Sequence, residues 1–221
     1  MSGGVCDAPD SRVLVPAARF QVGPSDWEAE GRVPPRAIET YAFYIDAFEA
    51  TRAKFRSGGG DAHIDDGARA MSGVTRDEAS AYCAMRGGRL PTDEEWIAAA
   101  SSGAPAGTPP RYPWGETGAV CRRAAWGLAQ GPCSRRGEGP DTVGAHSSGD
   151  TALGLHDMAG NVAEWIAPEM APSSDARVGI ARGGSWQSEL ATELRIWSRL
   201  EVASGARDAR IGMRCVYDVA P

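Results

Sequence analysis

Residues 154–167 read GLHDMAGNVAEWIA. Asp157, Gly160, Asn161 and Glu164 alternate there with Leu155, Met158, Val162 and Trp165. Two chemistries suit such a segment. A hard cation such as Ca²⁺ takes about 6–8 oxygens from carboxylates and backbone carbonyls. Asp157 and Glu164 can supply the carboxylates, and the carbonyls around Gly160 and Val162 the remainder. The other reading is a turn, in which Asp157 and Asn161 cap backbone groups and Glu164 pairs with an arginine. On spacing alone the turn is the simpler account.

The chain around this segment has 221 residues, enough for one large domain or two small ones and for a real core. Its 28 glycines and 15 prolines predict a loop-rich fold of short elements. A net charge of −6 with no dense basic run argues against nucleic acid, because Arg122–Arg123 and Arg135–Arg136 are isolated pairs. No apolar stretch approaches the ~20 residues that span a bilayer. The opening MSGGVCDAPDSR lacks the apolar core of a secretory signal. The five cysteines (6, 83, 121, 133 and 215) form no CxxC, and the three histidines are scattered, so a zinc site is poorly supported. Disulfides account better for four of the five, leaving Cys6. That favours an oxidising, extracytoplasmic setting, in tension with the absent signal.

Along the chain, RVLVPAARFQVGP (12–24) reads as a hairpin with Val13, Val15, Phe20 and Val22 apolar, followed by a polar loop at 25–36. Ile38, Tyr41, Phe43 and Ile45 suggest a strand, with a short helix starting at Thr51. Residues 57–69 read as a flexible loop. Thr75 with Glu78, and Thr92 with Glu95, have capping-box spacing ahead of two helices, the first ended by Gly87 and Gly88. Regular structure then fades from Ala104 to Gly154. YPWG (112–115) and the Cys121 and Cys133 pair favour an ordered coil there, since a disulfide or metal can replace secondary structure. ARGGSW, LRIWSR and IGMRCVYD read as three closing strands.

Seven segments occur in fixed order: PAARFQVG, FYIDAFEATRAKF, AYCAMRGGRLPTDEEW, YPWG, GLHDMAGNVAEW, RGGSW and IGMRC. Together they resemble the sulfatase-modifying-factor (formylglycine-generating-enzyme) family over about residues 12–218. The resemblance implies one mixed α/β (α+β) domain of C-type-lectin-like fold and low secondary-structure content over 12–221, with 1–11 as an N-terminal tail. It implies structural calcium, held here by the Asp157 and Glu164 side chains and the Gly160 and Val162 carbonyls. A second family calcium site, after YPWG, lacks its asparagine here and is not expected. Cys83–Cys215 matches a family disulfide, and Cys121–Cys133 would clip a loop of about a dozen residues.

The catalytic branch of the family binds copper through two cysteines and uses O₂ to oxidise a substrate cysteine to formylglycine. They lie three and eight positions after the serine of GGS, which here are Ser188 and Glu193. Neither is a thiolate, and Cu(I) selects soft ligands, so copper is not expected. A sister branch holds iron through histidines, and His63, His146 and His156 form no spaced cluster, so iron is not expected either. The reading that follows is a non-catalytic binding or scaffold domain. Gly183, Gly184, Trp186, Arg195, Trp197 and Arg199 would line or support a groove for a peptide, glycan or protein. The competing reading is an enzyme of altered chemistry, with Glu189 and Glu193 as an acid/base pair.

Overall fold

Val15, Phe43 and Ile45 are buried at alternating positions of two strands, β1 (Arg12–Val15) and β4 (Phe43–Asp46), which pair antiparallel with Val15 opposite Phe43. In this computed structural model, which describes residues 11–23, 35–56, 67–101, 109–135, 139–168 and 177–219, the last strand, β9 (Val216–Asp218), lies on the other side of β4. The first and last strands thus share one three-stranded sheet. The expected 12–24 hairpin is not formed. After β1 the chain passes to β2 (Ala18–Val22), which pairs instead with β3 (Arg36–Thr40) in a separate two-stranded ribbon. The link is Pro16–Ala17, and the two-residue turns that close hairpins need positive φ, which proline cannot adopt. The single strand expected over 38–45 likewise splits, because Tyr41 is 94% exposed and breaks the alternation between β3 and β4.

A four-stranded sheet carries the second half of the fold. β6 (Val178–Arg182) lies between β7 (Arg199–Ala203) and β5 (Ala163–Trp165), and β5 pairs in parallel with β8 (Ile211–Gly212). LRIWSR is not the strand its composition suggested. Residues Ala191–Leu194 form a 3-10 turn, and Arg195, Ile196 and Trp197 are buried consecutively, which a pleated strand with one solvated face cannot do.

The helices follow their caps. α1 (Arg52–Arg56) begins where the Thr51 hydroxyl accepts from the Lys54 N–H, 3.2 Å. In α2 (Arg76–Met85) Thr75 and Glu78 form a reciprocal box, and Thr92 and Glu95 do the same for α3 (Asp93–Ala100). α2 ends against β9, where Gly88 comes so close that a Cβ would lie 2.5 Å from the Val216 carbonyl. Cys83 of α2 is bonded to Cys215 beside β9, and Cys121 to Cys133, each with Cα atoms 5.4 Å apart. In the chain-entropy view closing 132 residues is worth about 5 kcal/mol and closing 12 about 3 kcal/mol. Among the described residues no helix is long and apolar enough to cross a membrane. Cys6, His63, most of the tail at 1–11 and most of the loops expected at 25–36 and 57–69 lie outside the described residues.

Candidate functional site

The segment 154–167 runs through the centre of the molecule. Two non-glycine residues in it take left-handed backbone, Asp157 (φ 54°) and Asn161 (φ 57°), a conformation that Asp and Asn tolerate better than other residues. The folded-back chain brings Glu164 onto β5, where residue and partner are fully buried: Glu164 and Arg214 both show no exposed surface. The Arg214 Nε–H reaches Glu164 Oε1 and Oε2 at 2.9 and 3.1 Å, and an Nη2–H reaches Oε1 at 2.7 Å. The Trp96 indole donates to Oε2 at 2.8 Å.

Glu49, between β4 and α1, is the second buried carboxyl of this region. It accepts from the Val162 N–H (3.0 Å) and the Asn161 side-chain NH₂ (2.5 Å), while the Asn161 side-chain Oδ1 accepts from the Asp141 N–H (2.7 Å). Burial pushes the Glu49 carboxyl well above its ordinary range, reinforced by the charges of Asp157 and Glu164. Burial also raises Asp157, although its Oδ2 accepts from the Gly144 N–H at 2.5 Å. Sequence reasoning passed over Glu49 and Arg214. The available signal was a lone charge inside each of two apolar runs, AFEA and IGMRCV.

The donor set does not fit calcium at Glu164. An ionised carboxylate offers about four lone-pair sites, and the four hydrogen bonds from Arg214 and Trp96 occupy them. Among the described residues no group of three or more His, Cys, Asp or Glu side chains is arranged to hold a metal ion. His146 Nε2 lies 3.0 Å from Asp141, whereas His156 Nδ1 lies 2.9 Å from Asp150 and its ring stacks on Phe48 at 4.2 Å.

Arg182, at the end of β6, fastens both ends of the segment that should carry the reacting groups. Its guanidinium makes a two-pronged bond to Asp93, with Nη2 to Oδ2 at 2.8 Å, and donates to the carbonyls of Trp197 and Ser198. Gly184 (φ 69°) lets the start of the loop lie on its end, since a Cβ there would sit 2.8 Å from the Glu193 carbonyl. Within the loop, the Ser188 hydroxyl accepts from the Ser185 N–H (3.0 Å). Glu193 Oε2 accepts from the N–H groups of Glu189 (2.9 Å) and Leu190 (3.1 Å). Neither pair of atoms is a soft ligand, so the residues present do not fit Cu(I).

The expected groove residues are not gathered on one open wall. Trp186 is buried, with its indole donating to the Ala209 carbonyl, and its own carbonyl accepts from Leu128 of the loop clipped by Cys121–Cys133. Arg195 is buried with its guanidinium 5.8 Å from the Trp197 ring centre. Arg199 lies on the edge strand β7, paired with Glu201 at 2.5 Å. The exposed residues of the loop are Gln187, Glu189, Leu190, Thr192 and Glu193, with Leu190 64% exposed.

Comparison with known proteins matches residues 5–219 to the sulfatase-modifying factor enzyme 1-like domain. Inactive C-alpha-formylglycine-generating enzyme 2 of Bos taurus is 32% identical over 149 residues, 64% of this chain and 48% of that protein. Hercynine oxygenase of Mycolicibacterium smegmatis is 32% identical over 189 residues, 72% of this chain and 40% of that protein. The chain thus spans about half or less of the length of these relatives. Among solved structures, Treponema denticola variable protein 1 superposes with a TM-score of 0.75 at 20% identity, over 94% of this chain and 95% of that one. PvdO from Pseudomonas aeruginosa gives 0.72 at 21%, over 94% of each. The mixed α/β, C-type-lectin-like fold is the one these structures share.

Proposed function

The chain belongs to the sulfatase-modifying factor enzyme 1-like family, and from that premise we propose that it is a non-catalytic member, a binding or scaffold domain. The observation that carries this is the use made of Ser188 and Glu193. They stand where the catalytic branch keeps its thiols, and both side chains are spent on the backbone N–H groups of their own loop. A carboxylate oxygen that accepts two such bonds is anchored to its own loop rather than aimed at a substrate. That weighs equally against an acid/base pair of Glu189 and Glu193. In place of a reactive pair the loop offers an exposed apolar tip at Leu190, the kind of residue that contacts a peptide or protein surface. A relative named as inactive is consistent with such members in the family.

The test is turnover of a cysteine peptide with O₂, reductant and added copper, followed by mass spectrometry. The expected result is an unchanged peptide mass. Conversion of the cysteine to an aldehyde would refute the proposal.

A further inference from the structure

We propose that the Cys121–Cys133 disulfide is a site of thiol attack, at which a small anionic thiol exchanges into Cys121 and frees the loop between the two cysteines from the 182–199 segment. The two disulfides differ in access. Cys83 and Cys215 are fully buried, whereas Cys121 is exposed and its partner Cys133 is 7% exposed. Exchange requires a thiolate to reach a sulfur of the bridge, so access selects Cys121. Charge selects the reagent. In a chain of net charge −6, arginines follow both cysteines, as Cys121-Arg122-Arg123 and Cys133-Ser134-Arg135-Arg136. Arg122 is exposed, and Arg123 donates to the Thr117 hydroxyl and to the Gly118 carbonyl (3.2 Å), acceptors that leave its charge uncancelled. Arg135, by contrast, is paired with Asp141. The two charges that follow Cys121 draw in a thiol that carries carboxylates and favour thiolate over thiol.

The incoming thiolate bonds to Cys121 Sγ as the bond to Cys133 Sγ breaks, and Cys133 leaves as a thiolate that takes a proton from water. A second thiolate then attacks the incoming sulfur and releases Cys121. Two small thiols are thereby oxidised to one disulfide, and the bridge is reduced to two thiols. What the bridge clips is the backing of the 182–199 segment. The Ala125 carbonyl accepts from the Asn161 N–H (2.8 Å), the Asn161 carbonyl accepts from the Trp186 N–H (2.8 Å), and the Leu128 N–H donates to the Trp186 carbonyl (2.9 Å). Trp126 and Leu128 are buried with Trp186 and Leu194 in one apolar cluster. Opening the bridge returns chain entropy to the loop and weakens these contacts, while the buried Cys83–Cys215 bridge still holds the frame.

The experiment is brief exposure of the native protein to reduced glutathione, trapping with N-ethylmaleimide and peptide mass mapping, beside amide hydrogen exchange of the reacted protein. Glutathione is expected on Cys121 and the maleimide on Cys133, with Cys83–Cys215 intact. Opening of Cys83–Cys215 as early as Cys121–Cys133, glutathione on Cys133, or a bridge that stays closed until the protein is unfolded would each overturn the proposal. The uncharged β-mercaptoethanol separates charge from access. Arg122→Gln is expected to slow the reaction with glutathione and to leave that with β-mercaptoethanol unchanged; equal rates with wild type for both thiols would remove the role of charge. Exchange at the Leu128 and Asn161 N–H groups is expected to quicken by roughly 10- to 100-fold on opening. Unchanged exchange there would sever the bridge from the 182–199 segment.

Discussion

Asp93 and Arg182 are each almost wholly enclosed, and each is the other's main partner. Removing Arg182 leaves the enclosed Asp93 with only the partly exposed Arg36 as counter-charge, so Arg182→Met is expected to cost about 3 kcal/mol in urea unfolding. Burial pushes the Asp93 carboxyl up, but Arg182 and Arg36 outweigh it and hold the group below its ordinary value. Its stabilising contribution is present above the unfolded pKa and lost as pH falls through the folded one, on the acid limb. Glu49 works in the opposite sense. Its folded pKa is raised, so its contribution is present at low pH and lost as pH rises through that value. Unfolding of Glu49→Gln beside wild type, at steps from pH 5 to 8, is expected to show the variant gaining relative stability as pH rises; a difference that shrinks with pH would contradict the assignment. At this scale the sequence was partly readable. The lone arginine of IGMRC and the lone glutamate of AFEA announce buried charge, but which partners fold onto them is a tertiary fact that no local spacing encodes.

Among the elements, those that carry their own start signal were legible. The T-x-x-E boxes at Thr75 and Thr92 begin α2 and α3 where expected, with both reciprocal bonds made. Thr92→Ala is expected to cost about 1 kcal/mol, read by denaturant unfolding. The strands were legible as strands but not in their pairing. Alternation at Val13 and Val15 marks an inward face, whereas the choice of β4 over β2 as partner rests on Pro16 and on packing with residues far along the chain. RGGSW placed the 182–199 segment within the family's frame, yet its interior was not legible, because side chains that bind their own loop leave no periodic trace. In that loop Glu193 acts as a cap for two N–H groups. Glu193→Ala is expected to destabilise the protein by about 0.5–2 kcal/mol, and hydrogen exchange should localise the loosening to Glu189 and Leu190. Unchanged exchange there would remove the structural role.

For the whole molecule, the strands nearest the two ends of the fold flank β4, and Cys83–Cys215 ties the last of them to α2. Removing that disulfide by Cys83→Ala with Cys215→Ala is expected to cost more in urea unfolding than removing Cys121–Cys133 by the matching pair, because its loop is far longer. This frame is the one the order of the seven motifs announced, and its 182–199 loop is held by hydrogen bonds of its own. With oxygen-bearing side chains at Ser188 and Glu193, the frame is proposed to hold no copper-dependent chemistry. The most direct test is an anaerobic Cu(I) titration of the disulfide-intact protein against a competing coloured chelator. The protein is expected to withdraw no copper from the chelator; withdrawal of one Cu(I) per chain would show a copper site and refute the proposal.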